Sequence, residues 1–389
     1  MSNIYRNIEI KHHNVLIKTI SLCFLISMLS FFGINDFKPM LPFLDIYYLR
    51  HFIFGMLLLG LVIYIIYTFN CSVYLNKTGL VFFLVCTIAL LLLFFFRDSI
   101  NISDFLRFVV LFPFLFIQQG IDVKKKLKKI YVWLIICNSI FLSFTQGFIF
   151  NDYWNEAHRF IFNSNDPNFS AIYLLLGFMV CYKLGYKFPK YIFFLMGALT
   201  QSRNFILGII VFYLIKYTEN NPFVLMIFGR IKPIFMLIIM QVAIILFGYW
   251  YIVSVEPRYG RETLFLNDAS NFARFTFSTQ GFFFLASGSK MAIVDGAGER
   301  YWARELEGKK TVNIEGTVHN SFLDLFVSKG IIYGILNIII LFVIVDKYRT
   351  SKNYKYIYTY LVMSLFLSGL TSGFFLLNWL YILAIKDFS

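Results

Sequence analysis

The chain has 389 residues, of which 59% are hydrophobic, 20% aromatic and only 14% charged. A soluble chain usually carries about 45–50% apolar and about 25% charged residues, so this composition excludes a soluble globular protein, a disordered chain and a disulfide-rich secreted module. The formal net charge of +14 would suggest nucleic acid in a soluble protein, but in so apolar a chain it sorts segments between the two sides of a membrane.

A helix needs about 20 residues to cross the hydrocarbon. Met1 to Lys11 is polar, and the first apolar run, near 15–33, is long enough to be a retained span rather than a cleaved signal. Further spans are expected near 51–69, 78–96, 105–120, 130–150 and 168–185. Two short ones follow near 188–200 and 204–216, then 233–253 and 322–345. The last apolar stretch, 355–385, is broken by Leu370-Thr371-Ser372-Gly373 and reads as two spans, which makes about twelve. The expected class is an all-α polytopic membrane protein, one integral domain over 1–389, with a long loop at 254–320 between the ninth and tenth spans.

With the amino terminus inside, the inner segments collect the Lys124–Lys129 run, Lys183, Lys187, Lys190, Lys216, Arg230, Lys232, Lys347, Arg349, Lys352, Lys355 and Lys386. This obeys the positive-inside rule and puts both termini in the cytoplasm. The Lys124–Lys129 run then reads as a stop signal on an inner loop rather than a nucleic-acid patch. Cys23, Cys71, Cys86, Cys137 and Cys181 fall in spans or on the inner side, so no disulfide and no cysteine metal site is expected.

The long outer loop is rich in charge and glycine and ends in Thr317-Val318-His319-Asn320-Ser321. His319 sits at a helix start beside that loop, where a neutral imidazole can take a proton from a hydroxyl. Of the other histidines, His12 and His13 lie in the inner tail, His51 opens a span and His158 lies on an outer loop. Arg203, in Thr200-Gln201-Ser202-Arg203-Asn204, starts the helix after a tight outer turn. Guanidinium beside helix-start amides grips phosphate oxygens, and snorkelling to lipid headgroups is the alternative. Arg274 in the loop has apolar neighbours, which suggests packing. Arg258 and Arg261 flank the exit of the preceding span, and Arg159 lies beside His158. Asp104 and Arg107 read as a local pair. Metal-ligand spacings, P-loops and GxGxxG are absent from the sequence, and Gly296-Ala297-Gly298 reads as a backbone turn.

In chain order these segments resemble the O-antigen polymerase and O-antigen ligase superfamily, the Wzy-type and WaaL-type proteins. Asn165-Asp166-Pro167-Asn168-Phe169-Ser170-Ala171 looks like its Asp-Pro-Asn lead into a mid-chain span, and Thr200-Gln201-Ser202-Arg203 like its Ser-Arg turn. Arg274 with Gly296 and Gly298, then His319-Asn320-Ser321-Phe322-Leu323 with Gly330 and Gly334, look like its loop arginine, glycine turn and His-Asn signature. The motifs cover about 150–345.

The resemblance implies a glycosyltransferase of GT-C type in the bacterial inner membrane, with its active site facing the periplasm. The donor would be a glycan on undecaprenyl diphosphate, Arg203 and Arg274 would hold the diphosphate, and His319 would deprotonate or position the acceptor hydroxyl. Arg258, Arg261, Arg159, His158, Asn320 and Asp166 would support the site, with no metal or cofactor and with a chain-length regulator as a possible partner. Polymerase is favoured over ligase, because the motifs match sparsely. A transporter of lipid-linked sugar stays open, but it calls for polar residues deep in the spans. Here polar residues are expected at the outer ends.

Overall fold

The computed structural model describes residues 77–97, 150–153, 157–160, 167–255, 269–298, 318–371 and 373–384. The expected spans 15–33, 51–69, 105–120 and all but the last residue of 130–150 lie outside these. So do His12, His13, His51, Asp166, Arg258, Arg261, the Asp104–Arg107 pair and the Lys124–Lys129 run. The described part is mainly helical, and its contacts form two compact units that exchange at Gly79/Leu80, Leu111/Phe112, Ile209/Ile210 and Leu376/Leu377.

Helix α1 spans Lys77–Phe96. A two-stranded antiparallel hairpin, β1 Phe150–Tyr153 and β2 Ala157–Phe160, departs from the all-α expectation. Phe150, Tyr153 and Phe160 are aromatic residues of the kind enriched in strands.

In the first unit, α2 covers Pro167–Lys183 and α3 Lys187–Leu199. The next helix, α4, covers Arg203–Thr218 and contributes Arg203–Ile209 to this unit. Proline at the first position of α2 has no N–H to leave unsatisfied. Side chains of α2 are buried on all sides, so it is the core helix. Phe193 of α3 packs on Gly177 of α2, and Phe205 of α4 on Gly197 of α3, each ring filling the space where a methyl would stand.

In the second unit, α5 is Pro222–Arg230 and α6 is Pro233–Trp250, continued by a π-helical turn over Tyr251–Val255. Among the described residues α6 is the one helix of length and apolarity to cross a membrane, with mean hydropathy 2.1. Residues 254–320, expected as a loop, contain an 18-residue helix, α7 Ala269–Ala286, and a π-helical turn at Met291–Asp295. Helix α7 forms because it buries a face: Phe275 meets Phe247 of α6 edge-on at 4.9 Å, and Gly281 lies under Val318, Leu323 and Val327.

The expected single span at 322–345 is two helices, α8 Ser321–Lys329 and α9 Ile331–Lys347. Gly330, at φ 85°, breaks them in a region open to glycine. Gly334 lies against Phe326, and Phe322 stacks with Phe342 at 6.3 Å, so α9 folds back along α8 as a hairpin.

A short 3-10 turn then leads into α10 Tyr354–Ser364, and α11 is Gly373–Ala384. The expected break between the last two apolar segments is present. At 11 and 12 residues and a rise of about 1.5 Å each, however, α10 and α11 are each about half as long as a bilayer crossing requires. Phe228 of α5 stacks on Tyr358 of α10 at 4.4 Å, and Lys355 pairs with Glu219 at 2.7 Å.

Candidate functional site

Two of the four recognised segments meet in the first unit. Thr200 closes α3, its hydroxyl donating to the Gly197 carbonyl at 2.6 Å. Gln201 turns the chain at φ 50°, and Ser202 precedes α4. The Ser202 hydroxyl donates to Asn168 Oδ1 at 2.9 Å, which joins the Ser-Arg turn to the Asp-Pro-Asn segment. Ser202 and Asn204 are buried, whereas Arg203 between them is exposed at the first position of α4. A buried pedestal thus presents one guanidinium at a helix start, where the amide dipoles favour an anion. His158 and Arg159 lie in β2 of the same unit, opposite Asp152 and Asn151.

The other two segments meet in the second unit. Gly296, at φ 71°, and Gly298, at φ 85°, carry the chain past the end of α8. The Ala297 amide donates to the Val327 carbonyl at 2.8 Å, and the Gly298 amide to that of Ser328 at 3.0 Å. A Cβ at Gly296 would lie 2.5 Å from the Lys329 amide nitrogen, and one at Gly330 2.6 Å from the Val294 carbonyl oxygen. These glycines therefore serve a close backbone-to-backbone contact. Ala297, Val318, Leu323 and Val327 close a small core beneath it.

At the other end of α8, Asn320 is the cap. Its Oδ1 accepts from the amides of Phe322 and Leu323 at 3.2 and 3.1 Å. Ser321 is tied to the break after α10: its hydroxyl donates to the Leu367 carbonyl and accepts from the Leu370 amide at 2.9 Å, and Thr371 donates to its carbonyl at 3.1 Å. His319 is half-buried between Val318 and Asn320, both fully buried. Arg274 lies half-buried in the second turn of α7, its carbonyl accepting from the Ser278 hydroxyl at 2.5 Å.

Two residues of this unit were missed from the sequence. Arg97, just past α1, is 8% exposed. It donates through Nε to the Val294 carbonyl at 3.1 Å and through Nη2 to the carbonyls of Asp295, at 3.3 Å, and Lys329. Its guanidinium lies 5.2 Å from the centre of the Tyr333 ring. It therefore fastens the glycine turn to the end of α8, where a cation also complements the helix dipole. In sequence it is a cation closing Phe94-Phe95-Phe96, indistinguishable from an ordinary topology signal.

The second is Gln241, a lone amide within the apolar α6, whose Oε1 accepts from Asn320 Nδ2 at 2.8 Å. Polar residues were expected at the outer ends of spans. Gln241 is instead the ninth of the 18 residues of α6, at its middle. An amide inside an apolar span is a functional signal in its own right, and that signal was available.

Comparison of the chain with protein-family models, curated proteins and solved structures found no match.

Proposed function

We propose that this chain is an inverting, metal-independent membrane glycosyltransferase that polymerises a surface polysaccharide. The observation that carries this reading is the pairing of the four segments: Asn168 with Ser202 in one unit, and the glycine turn with the far end of the helix that His319–Ser321 begins in the other. Chain positions far apart in sequence are built into two polar structures, each presenting a group suited to the chemistry.

In the reaction, the hydroxyl oxygen of an acceptor sugar attacks C1 of the donor glycan. The bond from C1 to the diphosphate oxygen breaks, and the anomeric centre inverts. His319 takes the hydroxyl proton, and the departing undecaprenyl diphosphate is held by Arg203 and Arg274. Two guanidiniums supply the stabilisation of developing charge that a cation would otherwise give. His158, Arg159, Arg258, Arg261, Asn320 and Asp166 are supporting candidates.

The membrane setting is supported by α6 and by the broad apolar exposure of α1, where Val81, Leu84, Val85, Ile88, Leu91, Leu92, Phe95 and Phe96 are 47–84% exposed. Soluble monomers rarely expose such a surface. The proposed location is the bacterial inner membrane, with about twelve spans, the reaction on the periplasmic face and a chain-length regulator as partner.

Surface glycan from a deletion strain tests the reading on a gel. A collapse to core plus one repeat unit is expected; bare core with long polymer left on the lipid carrier would make the chain a ligase instead. Arg203→Ala and His319→Ala should each abolish polymer while the protein stays in the membrane. Arg203→Lys should fail too if the contact is bidentate. Purified activity should survive a chelator, and a strict metal requirement would defeat the arginine mechanism.

One observation favours a second reading, a transporter of lipid-linked sugar. Gln241, Asn320 and Ser321 meet at the middle of α6, beside the break after α10. Transporters use broken helices and polar contacts of this kind. A deletion that leaves lipid-linked units on the cytoplasmic side would select it.

A further inference from the structure

The hydrogen bonds of Asn320 fix an amide donor in the middle of α6. Asn320 Oδ1 accepts two backbone amides, so its orientation is set and its Nδ2 must be the donor to Gln241. Gln241 therefore turns Oε1 towards Asn320 and Nε2 away from it. That Nε2 is buried and has no hydrogen-bond partner.

Depth follows from two anchor points. Asn320, at the start of α8, meets the midpoint of α6, while Lys329, at its other end, meets Arg97 at the end of α1. Nine residues rise about 14 Å, half of a hydrocarbon core about 30 Å thick. In the membrane setting proposed above, α8 thus climbs from mid-depth to one surface, and α9 returns through the bilayer.

The backbone beside the start of α8 is irregular. Leu367 to Thr371 form the non-helical break that meets Ser321. On the other side of α8, Asn337 and Thr371 line a small, mainly apolar cavity with Phe322, Leu325, Ile338, Leu341 and Leu376. Irregular backbone at membrane depth survives where it is buried in protein or lines a watery cavity. No cation is among these groups, and Asp324, one turn along α8 from Asn320, is half-buried. A neutral, hydroxyl-rich ligand suits this setting better than a phosphate.

We infer that Gln241 binds the acceptor: its amide donates to an oxygen of the acceptor sugar, beside His319. This rests on the glycosyltransferase reading. The acceptor probe is the lipid-linked repeat unit extracted from the deletion strain. Gln241→Met should raise KM for that lipid about ten-fold, the loss of one hydrogen bond, with kcat nearly unchanged. A fall in kcat with KM unmoved would show that Gln241 only holds Asn320.

The second measurement needs no turnover. Gln241→Cys should react with a small charged methanethiosulfonate above the background of the parent chain, and the extracted lipid should protect it. Val242→Cys, on an exposed apolar face, should not react. Polymer from the parent chain with no labelling at position 241 would overturn the site alone. Labelling and protection without polymer would overturn the polymerase reading alone and leave the sugar site standing.

Discussion

The two units build their polar structures from different materials. In the first, a side chain meets a side chain: Ser202 reaches Asn168, and the arginine they support faces outward. In the second, backbone meets backbone through Gly296, Gly298 and Gly330, and an arginine is spent inward, on carbonyls. On the function proposed above, the contrast would separate two tasks. A group that must meet a large lipid diphosphate needs exposure and some play. A helix that must hold a histidine and an amide at fixed depth needs its far end immobilised, since an error at one end of α8 is carried along its length.

If this division is right, the second unit should be the brittle one. Arg97→Ala is expected to have the largest effect on stability. It strips three carbonyls, one buried and two part-buried, of charged donors, a loss of about 3–5 kcal/mol. Thermal unfolding in detergent should show it, and Arg97→Lys should recover part of the loss. A melting temperature unchanged by Arg97→Ala would remove the latch from the account. Gly296→Ala should come next, at about 3 kcal/mol, because it adds both a glycine-only conformation and a backbone clash. Gly185 of the first unit gives the matched control. It has φ 72° but nothing within 4 Å of an added Cβ, so Gly185→Ala should cost only about 1–2 kcal/mol. Equal losses at the two glycines would erase the difference between the units.

The sequence made some of this legible and hid the rest for definable reasons. Helix starts at Pro167, Arg203 and Ser321 follow from proline, a tight polar turn and an asparagine cap, all local signals. The break after α10 could be read from Thr371-Ser372-Gly373. The break at Gly330 could not, because one glycine in an apolar run is compatible with a continuous helix. Helix α7 was hidden by its polar residues: Arg274, Thr276, Ser278 and Thr279 read as loop, and the helix is placed by Phe275 and Thr279 packing on Gly248 and by Val318, Leu323 and Val327 packing on its own Gly281. Arg97 was illegible for a stronger reason. Its partners are carbonyl oxygens about 200 residues away, which carry no side-chain identity to detect.

The smallest effect tests the first unit itself. Ser202→Ala removes one neutral hydrogen bond, and Asn168 is half-exposed, so water can replace the lost donor. The expected loss is about 1 kcal/mol. Asn168→Ala should lose a similar amount, and the double variant should lose less than the sum, because both remove the same bond. Coupling of about 0.5 kcal/mol or more in that cycle would establish the bridge between the Asp-Pro-Asn segment and the Ser-Arg turn. Polymer length read on the same variants carries the argument to function. If the bridge positions Arg203, both single variants should shorten the polymer while the membrane level of the protein holds. Strict additivity with normal polymer would leave Arg203 as an exposed cation whose neighbours do nothing for it, and the link between the Asp-Pro-Asn segment and the Ser-Arg turn would carry no function.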